Sequence, residues 1–135
     1  MPDNFETYYT FNDIFLVPQM TDCTTRSSLD TGSRIGSIDL GLPIISANMD
    51  TITGPDMAVA MHESGATGAL HRFNTISEAV DDYKFVKSQG ADCFVSVGVN
   101  EDSIERARAL HRAGATAAGV HHRHHLAPVR AQRLR

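Results

Sequence analysis

The stretch "PIISANMDTITGPDMAVAMHESGATGALHRF", Pro43 to Phe73, decides the fold. Its first seven residues form an apolar run of the length of a buried strand. Thr53 then offers an N-cap, Pro55 suits a first helical turn, Asp56 complements the helix dipole, and Gly65 suits the position just past a helix end. "ATGALHR" follows as a second strand. Strand, helix and strand within some thirty residues describe a βαβ unit.

The same rhythm continues downstream. "NTISEAVDDYKFVKSQG" predicts a second helix, opened by a capping box at Thr75 and Glu78 and closed by Gly90. Its Ala79, Val80, Tyr83 and Val86 share one face at helical spacing. "DCFVSVGV" reads as a third buried strand. "NEDSIERARALHRAG" reads as a third helix with Asn100 as cap, and Gly114–Thr116 leads into a fourth strand. Strands starting near residues 44, 67, 93 and 116, each apolar and separated by helices, argue for a parallel sheet. A doubly wound sheet and a (β/α)8 barrel both fit this pattern. Upstream, "DIFLVP" (Asp13–Pro18) is a short strand-like run, and "SRIGSIDLGLP" alternates apolar and polar residues as an edge hairpin does.

The totals exclude several classes. A chain of 135 residues has the length of one domain, and 41% hydrophobic with 21% charged residues is ordinary for a globular protein. No run approaches the ~18 apolar residues of a membrane span and no signal pattern opens the chain, so no membrane partner and a cytoplasmic location are expected. Cys23 and Cys93 are too few for a disulfide framework and lack metal-ligand spacing.

Charge is unevenly placed. The net charge is −4, yet four of the twelve Lys and Arg (Arg123, Arg130, Arg133 and Arg135) lie beyond residue 116 without any acid. The first 116 residues therefore carry −8 and the remainder +4. The tail "HHRHHLAPVRAQRLR" admits three readings. As a metal site its His121, His122, His124 and His125 fit no closed ligand spacing. As a nucleic-acid arm it lacks aromatics for base stacking, so no nucleic-acid partner is expected. As a segment unrelated to the preceding fold, such as an out-of-frame translation, it accounts for the composition best. The expected organisation is thus residues 1–116 as a partial enzyme domain and 117–135 as an unrelated basic tail.

In parallel α/β architectures ligands bind where the strands end. The polar groups there are "SANMDT" (Ser46–Thr51), "HRF" (His71–Phe73) and "GVNED" (Gly98–Asp102). By composition alone, Ser46, Asn48 and Asp50 read equally well as satisfied loop residues.

The strings themselves add more. "TFNDIFLVPQ", "TRSSLD", "LPIISANMDTIT…MAVAM", "HRF" and "SVGV", in this order over roughly residues 10–116, resemble the IMP dehydrogenase/GMP reductase family. The resemblance implies about three βα units plus an N-terminal hairpin region of a (β/α)8 TIM barrel. It also implies a purine nucleoside monophosphate substrate, an NADP(H) or NAD cofactor, a monovalent cation in the full-length family, and a homotetramer. Only 22 residues separate Phe73 from Ser96, which leaves no room for the tandem CBS insert usual in the dehydrogenases. This favours NADPH-dependent reductive deamination of GMP to IMP in the parent enzyme. The alternatives are oxidation of IMP to XMP with NAD, or an inactive fragment that retains nucleotide binding or subunit association. By the same resemblance, Met49 lies against the purine with Ser46, Asn48 and Asp50 beside the nucleotide. Thr25, Arg26 and Arg72 match residues that contact the cofactor, the first two from a neighbouring subunit. The family's nucleophile is a cysteine on a later glycine-rich loop, which neither Cys23 nor Cys93 matches, so no catalytic residue is assigned. Past Gly114 the family continues with a strand ending in "D-x-A-H-G-H-S", and this chain does not. Three βα units leave sheet edges open, so marginal stability or association is expected.

Overall fold

The computed structural model describes residues 9–10, 12–116, 118–122 and 125–127, and from residue 119 onward as backbone only. The chain divides into two compact units, Met1–Asp30 and Thr31–Arg135.

The described residues of the first unit form two local turns. Asp13 accepts from both the amide and the hydroxyl of Thr10, each at 2.8 Å, and these bonds hold its carboxyl below the usual range. A single 3-10 turn spans Arg26–Ser28. The run Asp13–Pro18 is not a strand: it has no ladder partner among the described residues, and Phe15 and Leu16 stand 91% and 99% exposed. An apolar sequence supplies only one half of a ladder, and a strand needs the other.

The second unit opens with the expected hairpin, β1 (Ser33–Ile35) and β2 (Ile38–Leu40), antiparallel with Ile35 opposite Ile38. Gly36, at φ +63°, takes the left-handed position in its two-residue turn. Ile38 and Leu40 are buried while Asp39 between them is exposed, so strand alternation is realised in β2.

A five-stranded sheet follows in the order β3 (Ile45–Ser46), β4 (Thr67–Leu70), β5 (Cys93–Val97), β6 (Ala118–His122) and β7 (His125–Ala127). The first four run parallel. Helices α1 (Pro55–Glu63), α2 (Ile76–Ser88) and α3 (Ser103–Arg112) connect them. Ala58 of α1, Ala79, Tyr83 and Val86 of α2, and Leu110 of α3 share one buried core with Leu70, Val95 and Val97. Helical spacing in α2 thus selected the face the sequence pointed to. No described helix is long and apolar enough to cross a membrane.

Two caps differ from expectation. The N-cap of α1 is Gly54, because the Thr53 side chain turns into the protein and bonds elsewhere. The N-cap of α3 is Asp102, two residues beyond Asn100, whose carbonyl accepts from the Ser103 amide. The Thr75–Glu78 capping box of α2 forms in full, and its bonds from Thr75 hold the Glu78 carboxyl below its ordinary value. The last strand, β7, pairs antiparallel with β6, His122 opposite His125. A helix does not intervene there, unlike after β3, β4 and β5.

Close packing positions the first two parallel strands. A Cβ placed on Gly68 would lie 2.8 Å from the Ala58 Cα, 2.9 Å from its Cβ and 3.2 Å from the Thr53 Cγ2. Only glycine lets α1 approach β4 this closely.

Candidate functional site

Three loops leave the carboxyl ends of adjacent parallel strands: 47–54 after β3, 71–75 after β4 and 98–102 after β5. Because the strands are parallel and neighbouring, these loops share one edge of the sheet.

The first loop is tightly wound. The Met49 amide donates to the Ala47 carbonyl at 2.9 Å, and the Met49 carbonyl accepts from Ile52 and Thr53. Thr53, fully buried, sets its Oγ1 2.8 Å from the Ser46 Oγ and within bonding distance of the Ala47 carbonyl. Asn48 donates its Nδ2 to the buried Ser96 Oγ on β5 at 3.0 Å. Asp50 accepts from the Thr51 amide at 2.9 Å and is exposed, as is the Met49 thioether. The loop therefore fixes Ser46 and Asn48 against the strands and presents Met49 and Asp50 outward. An exposed thioether on a rigid loop suits the face of an aromatic ring.

The second loop carries a cation. The Arg72 guanidinium carbon sits 5.0 Å from the Phe73 ring centroid, a cation–π distance. His71 accepts the Phe73 amide through Nδ1 at 3.1 Å and stacks on its ring at 6.4 Å between centroids. Arg72 Nη1 lies 3.3 Å from where a Cβ on Gly98 would project, so the side chain rests on a glycine of the neighbouring loop. Its Nε is buried without any hydrogen-bond partner. A buried donor left unpaired costs ~1–3 kcal/mol, which an anionic acceptor would recover. The donor set fits a phosphate-bearing ligand.

Thr25 and Arg26 belong to the first unit. The Thr25 hydroxyl lies 3.2 Å from the Ser27 hydroxyl, its carbonyl accepts from Cys23 and Ser28, and Arg26 is exposed.

Neither cysteine is placed as a nucleophile. Cys93 is buried in β5, and burial pushes its thiol from 9.0 up to about 12, where it stays protonated at neutral pH. Cys23 lies half-buried in the first unit. Among the described residues no three His, Cys, Asp or Glu side chains converge as a metal site, and the tail histidine side chains lie outside the described residues.

Thr53 and Ser96 support the site, and the sequence reading missed both. Ser96 had a signal: it is the lone hydroxyl in an apolar strand, two residues before Gly98. Thr53 was assigned to a helix end that Gly54 occupies.

Known proteins resemble this chain over most of its length. The family described as "IMP dehydrogenase / GMP reductase domain" matches residues 8–128. An inosine-5'-monophosphate dehydrogenase of Korarchaeum cryptofilum is 42% identical over 114 residues, covering 82% of this chain and 23% of that protein. A GMP reductase of Bacillus subtilis is 32% identical over 105 residues, covering 78% and 32%. The crystal structure of inosine 5' monophosphate dehydrogenase from Legionella pneumophila superposes with a TM-score of 0.68 at 48% identity, covering 82% of this chain and 34% of that one. The chain thus spans about a quarter to a third of the length of the relatives it matches.

Proposed function

The chain belongs to the IMP dehydrogenase/GMP reductase family, and from that membership we propose that its strand-end loops form the nucleotide and cofactor surface of a purine nucleotide oxidoreductase. The three βα units are one part of a (β/α)8 barrel. One observation carries the reading: two loops on adjacent strands offer complementary chemistry, an exposed thioether beside fixed hydroxyl and amide groups, and an arginine with an unpartnered buried Nε.

Met49 packs on the purine face, Asp50 meets the polar edge of the nucleotide, and Ser46 and Asn48 hold the loop in register with β5. Arg72 binds phosphate oxygens of NADP(H), its guanidinium aimed by Phe73 and by the room above Gly98. Thr25 and Arg26 serve the cofactor of a neighbouring copy in a tetramer. When bound, the nicotinamide exchanges two electrons with the purine. The described side chains at these loops supply binding and orientation, and Cys93 is protonated and enclosed.

The reaction of the parent is reductive deamination of GMP, since a single helix joins β4 to β5 with no inserted regulatory domain. Oxidation of IMP is the second reading, favoured by identities of 42% and 48% to dehydrogenases against 32% to a reductase. Strand β7 departs from the barrel pattern: it turns back antiparallel on β6 where strand–helix alternation requires a helix.

Calorimetric titration of the purified chain with GMP, IMP, NADPH and NAD tests the proposal. Binding of GMP and NADPH in preference to IMP and NAD supports the reductase reading. The opposite preference supports the dehydrogenase, and binding of none of the four contradicts the site. No turnover is expected with either substrate pair.

A further inference from the structure

Arg106, on α3, is buried at 4% exposure although its guanidinium is a charged group with five donors and no acceptor. Its partner Asn74 lines a depression shared by the apolar Leu70, Ala79, Val95 and Leu110 and the polar His71, Asp82 and Ser96. The guanidinium addresses one residue through two atoms: Nη1 donates to the Asn74 Oδ1 at 3.1 Å, and Nη2 donates to the Asn74 carbonyl. Asn74 in turn donates its Nδ2 to the Asp82 carboxylate of α2 at 2.9 Å. Asn74 is therefore clamped between a cation and an anion, both held on helices.

That clamp has a specific location. Asn74 is the last residue of the loop that begins at His71, and Thr75 next to it caps α2. Strand β4 fixes the upstream end of the loop at Leu70. Between these anchors lie only His71, Arg72 and Phe73, tied together by the Phe73 amide bond to His71 and by the Arg72–Phe73 contact. A buried charge gives weak support to stability, and an apolar side chain would fill this position more cheaply. What the guanidinium fork does provide is a fixed position for one loop backbone.

We propose that Arg106 is a positioning residue for the cofactor loop: through Asn74 it holds the His71–Phe73 segment so that Arg72 meets the phosphate groups of the cofactor, without itself touching them. The inference rests on the cofactor role proposed for Arg72. Its test therefore has one arm that needs no cofactor.

The experiment compares the chain with Arg106→Met and Arg106→Lys. Amide hydrogen exchange without ligand is read at residues 72–74 and, as a control for the fold, at Val95 and Val97. NADPH affinity is read by fluorescence titration. In Arg106→Met, which removes both bonds to Asn74, exchange at 72–74 should quicken about ten- to a hundredfold, with β5 protection unchanged. NADPH binding should weaken by a similar factor, and Arg106→Lys should fall between the two. Unchanged exchange at 72–74 in Arg106→Met overturns the proposal. So does loss of β5 protection in both variants, which would make Arg106 a residue of the fold and not of the loop. If the unsubstituted chain does not bind NADPH while the exchange pattern is as expected, the reading of Arg72 fails and the loop role of Arg106 stands.

Discussion

Replacing Gly68 by alanine should separate α1 from the sheet and disturb the nucleotide loop with it. The new Cβ would meet the Ala58 Cα at 2.8 Å, the Ala58 Cβ at 2.9 Å and the Thr53 Cγ2 at 3.2 Å. The first two distances are well inside van der Waals contact, and the nearest atom is helix backbone, which cannot rotate away. Overpacking of this kind costs about 1–3 kcal/mol, and a domain near this size loses about 4–8 °C in Tm per kcal/mol. A fall of about 4 °C is thus the least expected, and about 24 °C the most. The partner substitution sharpens the test. Ala58→Gly removes the 2.9 Å contact and leaves the 2.8 Å one, at a helix-propensity cost of about 1 kcal/mol. Rescue in the double variant should be partial, with a coupling of about 0.5–2 kcal/mol. Thermal and urea unfolding followed by circular dichroism measure all four species. Because Thr53 holds Ser46, GMP affinity should fall in Gly68→Ala as well. An unchanged Tm, or strict additivity of the two substitutions, would refute the close α1–β4 approach and the argument built on it.

Other outcomes are tied to single groups. Arg72→Ala should weaken NADPH binding about ten- to a hundredfold, the worth of a charge-assisted hydrogen bond, with little change in GMP affinity; titration of both ligands checks this. Thr75→Ala removes the capping box and should cost about 0.5–2 kcal/mol near neutral pH. The folded-state Glu78 carboxyl is lowered from 4.5, so its part of the box is present above that value and is lost as pH falls through the lowered one. The Thr75→Ala deficit should therefore shrink in acid, as unfolding curves at neutral and acid pH would show. Cys93, protonated until pH approaches about 12, should resist a disulfide reagent in the folded chain while Cys23 reacts. Two rapidly titrating thiols would contradict that burial.

Much of the parallel sheet was legible because its signals are local. The Thr75–Glu78 box, the positive-φ glycines Gly65 and Gly90, and the Ala79–Tyr83–Val86 face each act within one or two turns of chain. The caps read at Thr53 and Asn100 are displaced for different reasons. The Ser46 hydroxyl and the Ala47 carbonyl claim the Thr53 side chain. The Asn100 carbonyl accepts from the Ser103 amide, and α3 begins only after that turn. The strand expected at Asp13–Pro18 finds no partner among the described residues, which no local pattern can announce. Of the site, the loops and their residues could be placed from strand ends, but the roles of Ser96, Asn74 and Arg106 could not. Arg106 reads as one more basic residue on an amphipathic helix, and only the fold brings it to Asn74, thirty-two positions away.

On the proposed reading, the loops after β3 and β4 divide the work of binding, the first taking the purine nucleotide and the second the cofactor. Two-dimensional amide NMR of the chain titrated with GMP and then with NADPH tests it most directly. The account predicts that GMP shifts resonances of Ser46–Asp50 and that NADPH shifts those of His71–Phe73. Perturbations confined to the opposite ends of the strands, or none with either ligand, would contradict it.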